Sequence, residues 1–251
     1  MRTAVTVLAA LAAALVMVSC TAGPSSAKEQ NRMSASMKES STPFNDPSIQ
    51  PLADAVAAGD VARIRELAPG SDLSAQGDDG VTLLEWAIWN QKPAALAALL
   101  EAGADAAQPA TDQDTVAHMA AMVEDPRYLQ VLIDHHAPVD IVSPRAGWTP
   151  VFRAVQNRRT PQLDMLVGAG VDLQRKDSMG NSLLHVAANV NDAGCVLRLL
   201  EAGVDPNAVN SRGETFQDAL FAGSDARLNA QARAERQQVR DWLAAQGIAT
   251  R

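Results

Sequence analysis

The sequence predicts an all-α stacked solenoid of about six helical repeats, and three observations predict it. The first is an internal period. Segments Gly80–Ala87, Gln113–Ala120, Gly147–Ala154, Gly180–Ala187 and Gly213–Leu220 align on a hydroxyl residue, and Thr82, Thr115, Thr149, Ser182 and Thr215 are spaced by 33, 34, 33 and 33. The second is an independent register of the same period: Gly103, His136, Gly170 and Gly203, at 33, 34 and 33. Two registers agreeing in this range mark supersecondary units that bury their apolar faces only against their neighbours. The third is composition. Hydrophobic residues make up 47% of the chain but aromatic ones only 4%. Ala and Leu carry most of the apolar content, which suits closely packed helices rather than a sandwich or barrel.

The chain begins with a different kind of segment. Arg2 supplies a short positive end, and Ala4 to Val18 is an apolar run of signal-peptide length, too short to span a bilayer comfortably. It ends in Met17-Val18-Ser19-Cys20, which resembles the lipobox of bacterial lipoproteins, with Met17 where that family usually has Leu. The resemblance implies acylation of Cys20, cleavage just before it and, with Thr21 rather than Asp following, sorting to the periplasmic face of the outer membrane. The alternative is ordinary cleavage after Ser25-Ser26-Ala27, giving a soluble periplasmic protein. The expected division is therefore signal peptide 1–19, flexible tether 20–46 and repeat domain 47–251. Cys195 is the only other cysteine, so a lipidated mature chain has no intramolecular disulfide. The formal charge of −8 argues against nucleic acid as a partner.

Within each repeat the hydroxyl residue is expected to be the N-cap of a short first helix, its oxygen accepting from an orphan backbone N–H. Thr82 with Glu85 reads as a capping box, and Pro150 suits a first helical position. Small residues such as Ala87, Ala120, Ala154 and Ala187 let first helices approach closely. The pairs Leu99/Leu100, Leu132/Ile133, Leu166/Val167 and Leu199/Leu200 are expected to be buried in the second helices, which Gly103, Gly170 and Gly203 end in a left-handed conformation. His136 breaks that rule in the third repeat. Pro51 to Leu67 reads as a degenerate first repeat. Gly247 lies 44 residues after Gly203, so longer helices are expected near Asp225–Glu235, with Arg227, Arg233, Glu235, Arg236 and Arg240 as a polar outer cap.

Ser182-Leu-Leu-His-Val-Ala-Ala188 and Leu199-Leu-Glu-Ala-Gly-Val-Asp-Pro-Asn207 resemble the ankyrin repeat pattern closely, and the resemblance covers about residues 51–247. It implies a solenoid of helix-turn-helix units joined by hairpin loops. It also implies that His118 and His185 hydrogen-bond neighbouring backbone rather than a ligand. His135-His136 lacks a carboxylate or Cys at metal-ligand spacing, Cys195 falls on a second-helix core position, and Gly77-Asp-Asp-Gly80 reads as a hairpin tip. No catalytic motif, metal site or cofactor site is expected.

The resemblance also implies a concave surface formed by the position after His and by those before the next helix. Here these positions carry Trp86 and Trp89, Met119 and Met122, Arg153 and Gln156, Val186 and Asn189, with Trp148 beside a loop tip. Trp, Arg and Met are frequent interface residues, so Trp86, Trp89, Met119, Met122, Trp148, Arg153, Gln156 and Asn189 are the candidate partner-binding set. Trp86 or Trp89 packing internally on the first repeat is the competing expectation, and Trp242 is assigned to the core. The expected function is a monomeric, membrane-tethered module that binds another envelope protein. Its specific forms are an immunity protein against a periplasm-acting toxin or a scaffold for a periplasmic enzyme such as a catalase.

Overall fold

A computed structural model describes residues 42–250. The signal segment 1–19, Cys20 and the tether as far as residue 41 lie outside the described residues. Six helix pairs stack in sequence: α1 (Gln50–Ala58) with α2 (Val61–Leu67), α3 (Leu83–Trp89) with α4 (Pro93–Glu101), α5 (Val116–Met122) with α6 (Arg127–Asp134), α7 (Pro150–Gln156) with α8 (Thr160–Gly168), α9 (Leu183–Asn189) with α10 (Ala193–Glu201), and α11 (Phe216–Leu220) with α12 (Ala230–Ala245). Each first helix packs on the next first helix through small residues, and Ala87, Ala120, Ala154 and Ala187 are all fully buried. Leu99, Leu132, Leu166 and Leu199 do the same for the second helices, so one continuous core runs through the stack. Val167, expected to be buried with Leu166, is instead 37% exposed, because it turns toward the outer side of its helix.

The helix ends follow the local chemistry. Gly103, Gly170 and Gly203 have φ of 96°, 76° and 87°. At each, the glycine and the residue after it donate to carbonyls of the helix just ended, such as Gly203 to Leu200 and Val204 to Leu199. His136 adopts the same left-handed geometry at φ 55°, with the same pair of hydrogen bonds. The hairpin tips are laddered by backbone: Ser178 N–H donates to the Ala146 carbonyl and Ser211 N–H to that of Met179, both at 3.0 Å.

The N-terminal boundary differs from expectation. Residues 43–46 are packed against the domain rather than forming the end of a tether. Asp78 N–H donates to the Pro43 carbonyl at 2.9 Å, as the later tips do to one another. Asn45 Nδ2 reaches Asp78 Oδ1 at 2.8 Å, and Phe44 is 1% exposed. This clasp supplies the hairpin that the degenerate first repeat lacks. Gly77 permits it, because a Cβ there would stand 2.8 Å from the Pro43 carbonyl oxygen.

The C-terminal end departs in a different way. The extra residues shorten α11, insert a 3-10 turn at Asp225–Arg227 and lengthen α12. Arg236, expected on the outer face, is buried. Its guanidinium donates to the Gly223 carbonyl, Asp225 Oδ1 and Asn191 Oδ1, pinning the insertion to the fifth repeat. Arg240 pairs with Asp225 at 2.8 Å and lies over the Phe221 ring. Trp242 is half-buried against the core, as its second-helix position requires.

Candidate functional site: the concave face

From the second repeat to the sixth, the first helix starts with one hydroxyl residue followed three positions later by Glu85, His118, Phe152, His185 or Asp218. These five side chains decide how each repeat meets the next hairpin. In the third and fifth repeats Nδ1 of the imidazole accepts from the N-cap backbone N–H, Thr115 and Ser182, at 3.1 Å in both cases. The other nitrogen, carrying the proton, then donates across the repeat to the carbonyl of Trp148 or Glu214. Burial pushes the His118 pKa down, so the ring stays a neutral strut. In these two repeats the hydroxyl also faces the imidazole, at 3.0 and 2.8 Å. In the second repeat Thr82 accepts from the Glu85 N–H at 3.2 Å.

Glu85 does the same bridging as a carboxylate. Its Oε2 accepts from Thr82 N–H and from the N–H and hydroxyl of Thr111 in the next hairpin, at 3.4, 3.4 and 3.1 Å. It is 1% exposed, and burial raises its pKa to about 6 against those hydrogen bonds. In the fourth repeat Phe152 offers no acceptor. Thr149 Oγ1, in a residue 0% exposed, consequently has no partner among the described residues.

Phe152 instead stacks on Trp148, centroids 5.9 Å apart at 22°. The Arg153 guanidinium lies 4.9 Å from the Trp148 ring centroid and pairs with Asp114 Oδ2 through Nε and Nη2, at 3.0 and 2.7 Å. Trp148 Nε1 donates to Asp177 at 3.3 Å. The half-buried ring is thus held by its own repeat and the next, and Arg153 ties the stack to the preceding one. Val81, Asp114, Asn181 and Glu214 occupy the Trp148 position elsewhere, so this stack belongs to the fourth repeat alone.

The expected binding residues divide. Trp89, Met119, Met122, Trp148 and Arg153 are half-buried and Gln156 and Asn189 exposed; all but Trp148, which precedes the N-cap of α7, lie in two columns along the first helices. Trp86 does not belong with them. At 6% exposure it is a core residue, its Nε1 donating to the Ala53 carbonyl of α1 at 3.0 Å. Small side chains in the first repeat leave room for the indole, and Phe44 closes over it edge-on at 6.5 Å. Trp89 lies edge-on to Trp86 at 6.3 Å, on the rim of that packing. Val186 is also buried.

Sequence reasoning missed Asp54, exposed at the first position of the Trp86–Met119–Arg153 column. The signal was obtainable from register, since Asp60 N–H donates to Ala55 as Lys92 does to Ala87. It also missed the orphaned Oδ1 of Asp114 and the exposed Met179 on the fifth hairpin tip.

Other chemistry is sparse. Cys195 is buried and its thiol pKa is pushed up to about 12 by burial, an inert core group. Among the described residues no cluster of three or more His, Cys, Asp or Glu could hold a metal, and no helix is long and apolar enough to cross a membrane.

Stacked helix pairs, laddered hairpin tips and a side-chain-lined concave face define a protein-binding module of repeat architecture. The profile described as "Ankyrin repeats (3 copies)" matches residues 84–177 and 117–210. A protein of Serratia liquefaciens named PhlB is 39% identical over 179 residues, 71% of this chain and 77% of that protein. The chain belongs to the ankyrin-repeat family. Human SH3 and multiple ankyrin repeat domains protein 2 is 29% identical over 62% of the chain, which spans 8% of that much longer protein. Among solved structures, an ankyrin repeat domain from Acinetobacter baumannii superposes with TM-score 0.65 at 24% identity, over 79% of this chain and 98% of that one. A chain in the structure of a Bdellovibrio bacteriovorus predatory endopeptidase in complex with an immunity protein gives 0.59 at 23%, over 74% and 97%. These two likenesses establish the fold.

Proposed function

We propose that this chain is a membrane-tethered ankyrin-repeat module of the bacterial envelope whose concave face binds another protein, an immunity protein against a periplasm-acting toxin being its specific form. The observation that carries the reading is the Phe152–Trp148–Arg153–Asp114 assembly. A large ring and a guanidinium are held in one place by three repeats at positions the ankyrin pattern leaves free, which is how a preorganised binding hot spot is built. The lipobox-like Met17–Cys20 supports the tether and the envelope location. The immunity form is supported by the use of this fold in a structure that pairs an endopeptidase with an immunity protein.

Two experiments test it. Affinity capture from envelope extracts compares the full chain with Trp148→Ala/Arg153→Ala. A specific partner should be lost by at least ~2 kcal/mol of binding, as for a hot spot, and undiminished capture by the double variant sinks the concave-face reading. If the captured protein is a resident enzyme rather than a toxin, the scaffold form replaces the immunity form. Cys20→Ala should leave an unprocessed precursor in detergent-phase partitioning; normally processed, soluble protein would mean cleavage after Ala27.

A further inference from the structure

Charge is divided unevenly along the solenoid. Residues 42–126 hold 14 Asp and Glu against 3 Lys and Arg, whereas residues 127–250 hold 13 of each. Two of the three cations, Arg63 and Arg65, are engaged by Glu66 and Glu101 on α2 and α4. The hairpin edge keeps exposed Asp78, Asp79 and Asp112, and Asp54 heads the concave column. The cations that reach this edge come from the fourth repeat, Arg145 to Asp112 and Arg153 to Asp114.

Asp114 is the informative group. It is 9% exposed, its Oδ2 takes both Arg153 contacts, and its Oδ1 has no donor among the described residues. A carboxylate oxygen out of water without a donor is unfavourable. Arg153 itself stands in the concave column, so the Asp114 carboxylate sits where that column meets the third hairpin. Beside it run Trp89, Met119, Met122 and Trp148, surfaces on which the aliphatic stems of Lys and Arg pack and over which a guanidinium sits well.

We propose that the concave face of repeats two to four docks a basic, Lys/Arg-rich segment of the partner protein, with cations along the acidic hairpin edge and one of them at the Asp114–Arg153 pair, where the Asp114 side chain keeps 13% exposure. The proposal rests on the protein-binding reading above and names the partner's chemistry. The excess negative charge of residues 42–126 speeds encounter with such a segment and repels an acidic one, and both effects weaken with salt.

The full chain is titrated with a labelled short peptide of alternating Arg and Leu and with its Glu/Leu counterpart, at about 50 and about 300 mM salt. The Arg peptide should bind, at least ~tenfold more weakly at the higher salt, and the Glu peptide should not. Reversing Asp78, Asp79 and Asp112 to Lys should weaken binding at least ~tenfold, while the matched reversal of Asp134, Asp164 and Glu201 on the second helices should change it less than ~twofold. All six sites are exposed, and unchanged melting curves exclude misfolding. No binding of the Arg peptide, equal binding of both peptides, or equal loss from both reversals overturns the proposal. Capture of an envelope protein that is lost with Trp148→Ala but survives the Asp78/Asp79/Asp112 reversal overturns it while leaving the protein-binding reading intact.

Discussion

The second and fourth repeats answer the same structural demand with opposite chemistry. At the third position of the first helix one has a carboxylate and the other a phenyl ring. Glu85 satisfies the N-cap and the following hairpin, and Trp86 beside it sinks into the core. Phe152 satisfies neither, leaves Thr149 Oγ1 without a partner among the described residues, and uses its ring to support a half-buried Trp148. A repeat can therefore spend this position on cohesion or on presenting a side chain. The fourth repeat gives up a buried hydrogen bond to hold a binding residue still.

The largest expected contrast is between the two indoles. Trp86→Ala should destabilise the domain by roughly 3–5 kcal/mol, as removal of a core Trp does. Trp148→Ala should cost no more than about 1–2 kcal/mol, since its ring is already half in water. Urea melts of both variants measure this, and equal losses would erase the distinction between a packing and a presenting repeat.

The acid response of Glu85 comes next. Its folded pKa is about 6 against 4.5 for the free side chain, so the folded state holds the proton more tightly between those values. Its contribution therefore improves as pH falls through 6 and is complete below 4.5, about 2 kcal/mol in all. His118 works in the opposite sense. Burial lowers its pKa, so the unfolded state takes up the proton first and stability falls as pH drops below about 6.5. The wild-type profile should be flattened by this opposition. Glu85→Gln should lose stability more steeply on acidification, and parallel profiles from pH 7.5 to 4.5 would show that Glu85 does not titrate in this window.

The orphaned hydroxyl provides a finer test. Thr149→Val should stabilise by about 1 kcal/mol because a buried unsatisfied group disappears. Thr82→Val should destabilise by about 1 kcal/mol because a working cap is lost. Shifts of the same sign would mean Thr149 is satisfied after all. The smallest effect is expected at His136, where Gly relieves a left-handed non-Gly residue: His136→Gly should be neutral or stabilise by up to about 1 kcal/mol. Any clear loss in thermal melts would reveal a contact of the imidazole.

Legibility in the sequence followed the range of the interaction. Thr82–Glu85, Pro150, Gly203 and His136 were each interpretable because their partners lie within four residues, where helix geometry alone dictates contact. Cys195 and the paired leucines were interpretable because a repeat places equivalent positions in equivalent environments. Trp86 was not. It occupies a position the pattern leaves open, and only the size of the first-repeat side chains and the arrival of Phe44, 42 residues upstream, decide that it is covered. Arg236 likewise looked like a surface cation until the inserted turn offered it three acceptors.

The amino-acid sequence alone therefore determined the architecture: the period, the helix starts and stops, the short first helices and the buried second ones. Tertiary structure decided which side chains of the open columns reach water, where the domain begins, and which polar atoms lack partners. Helix signals act between residues a turn apart and repeat with the period. Burial and hydrogen-bond satisfaction depend on whatever stands one repeat away, including segments such as the clasp and the last turn that lie outside the period altogether.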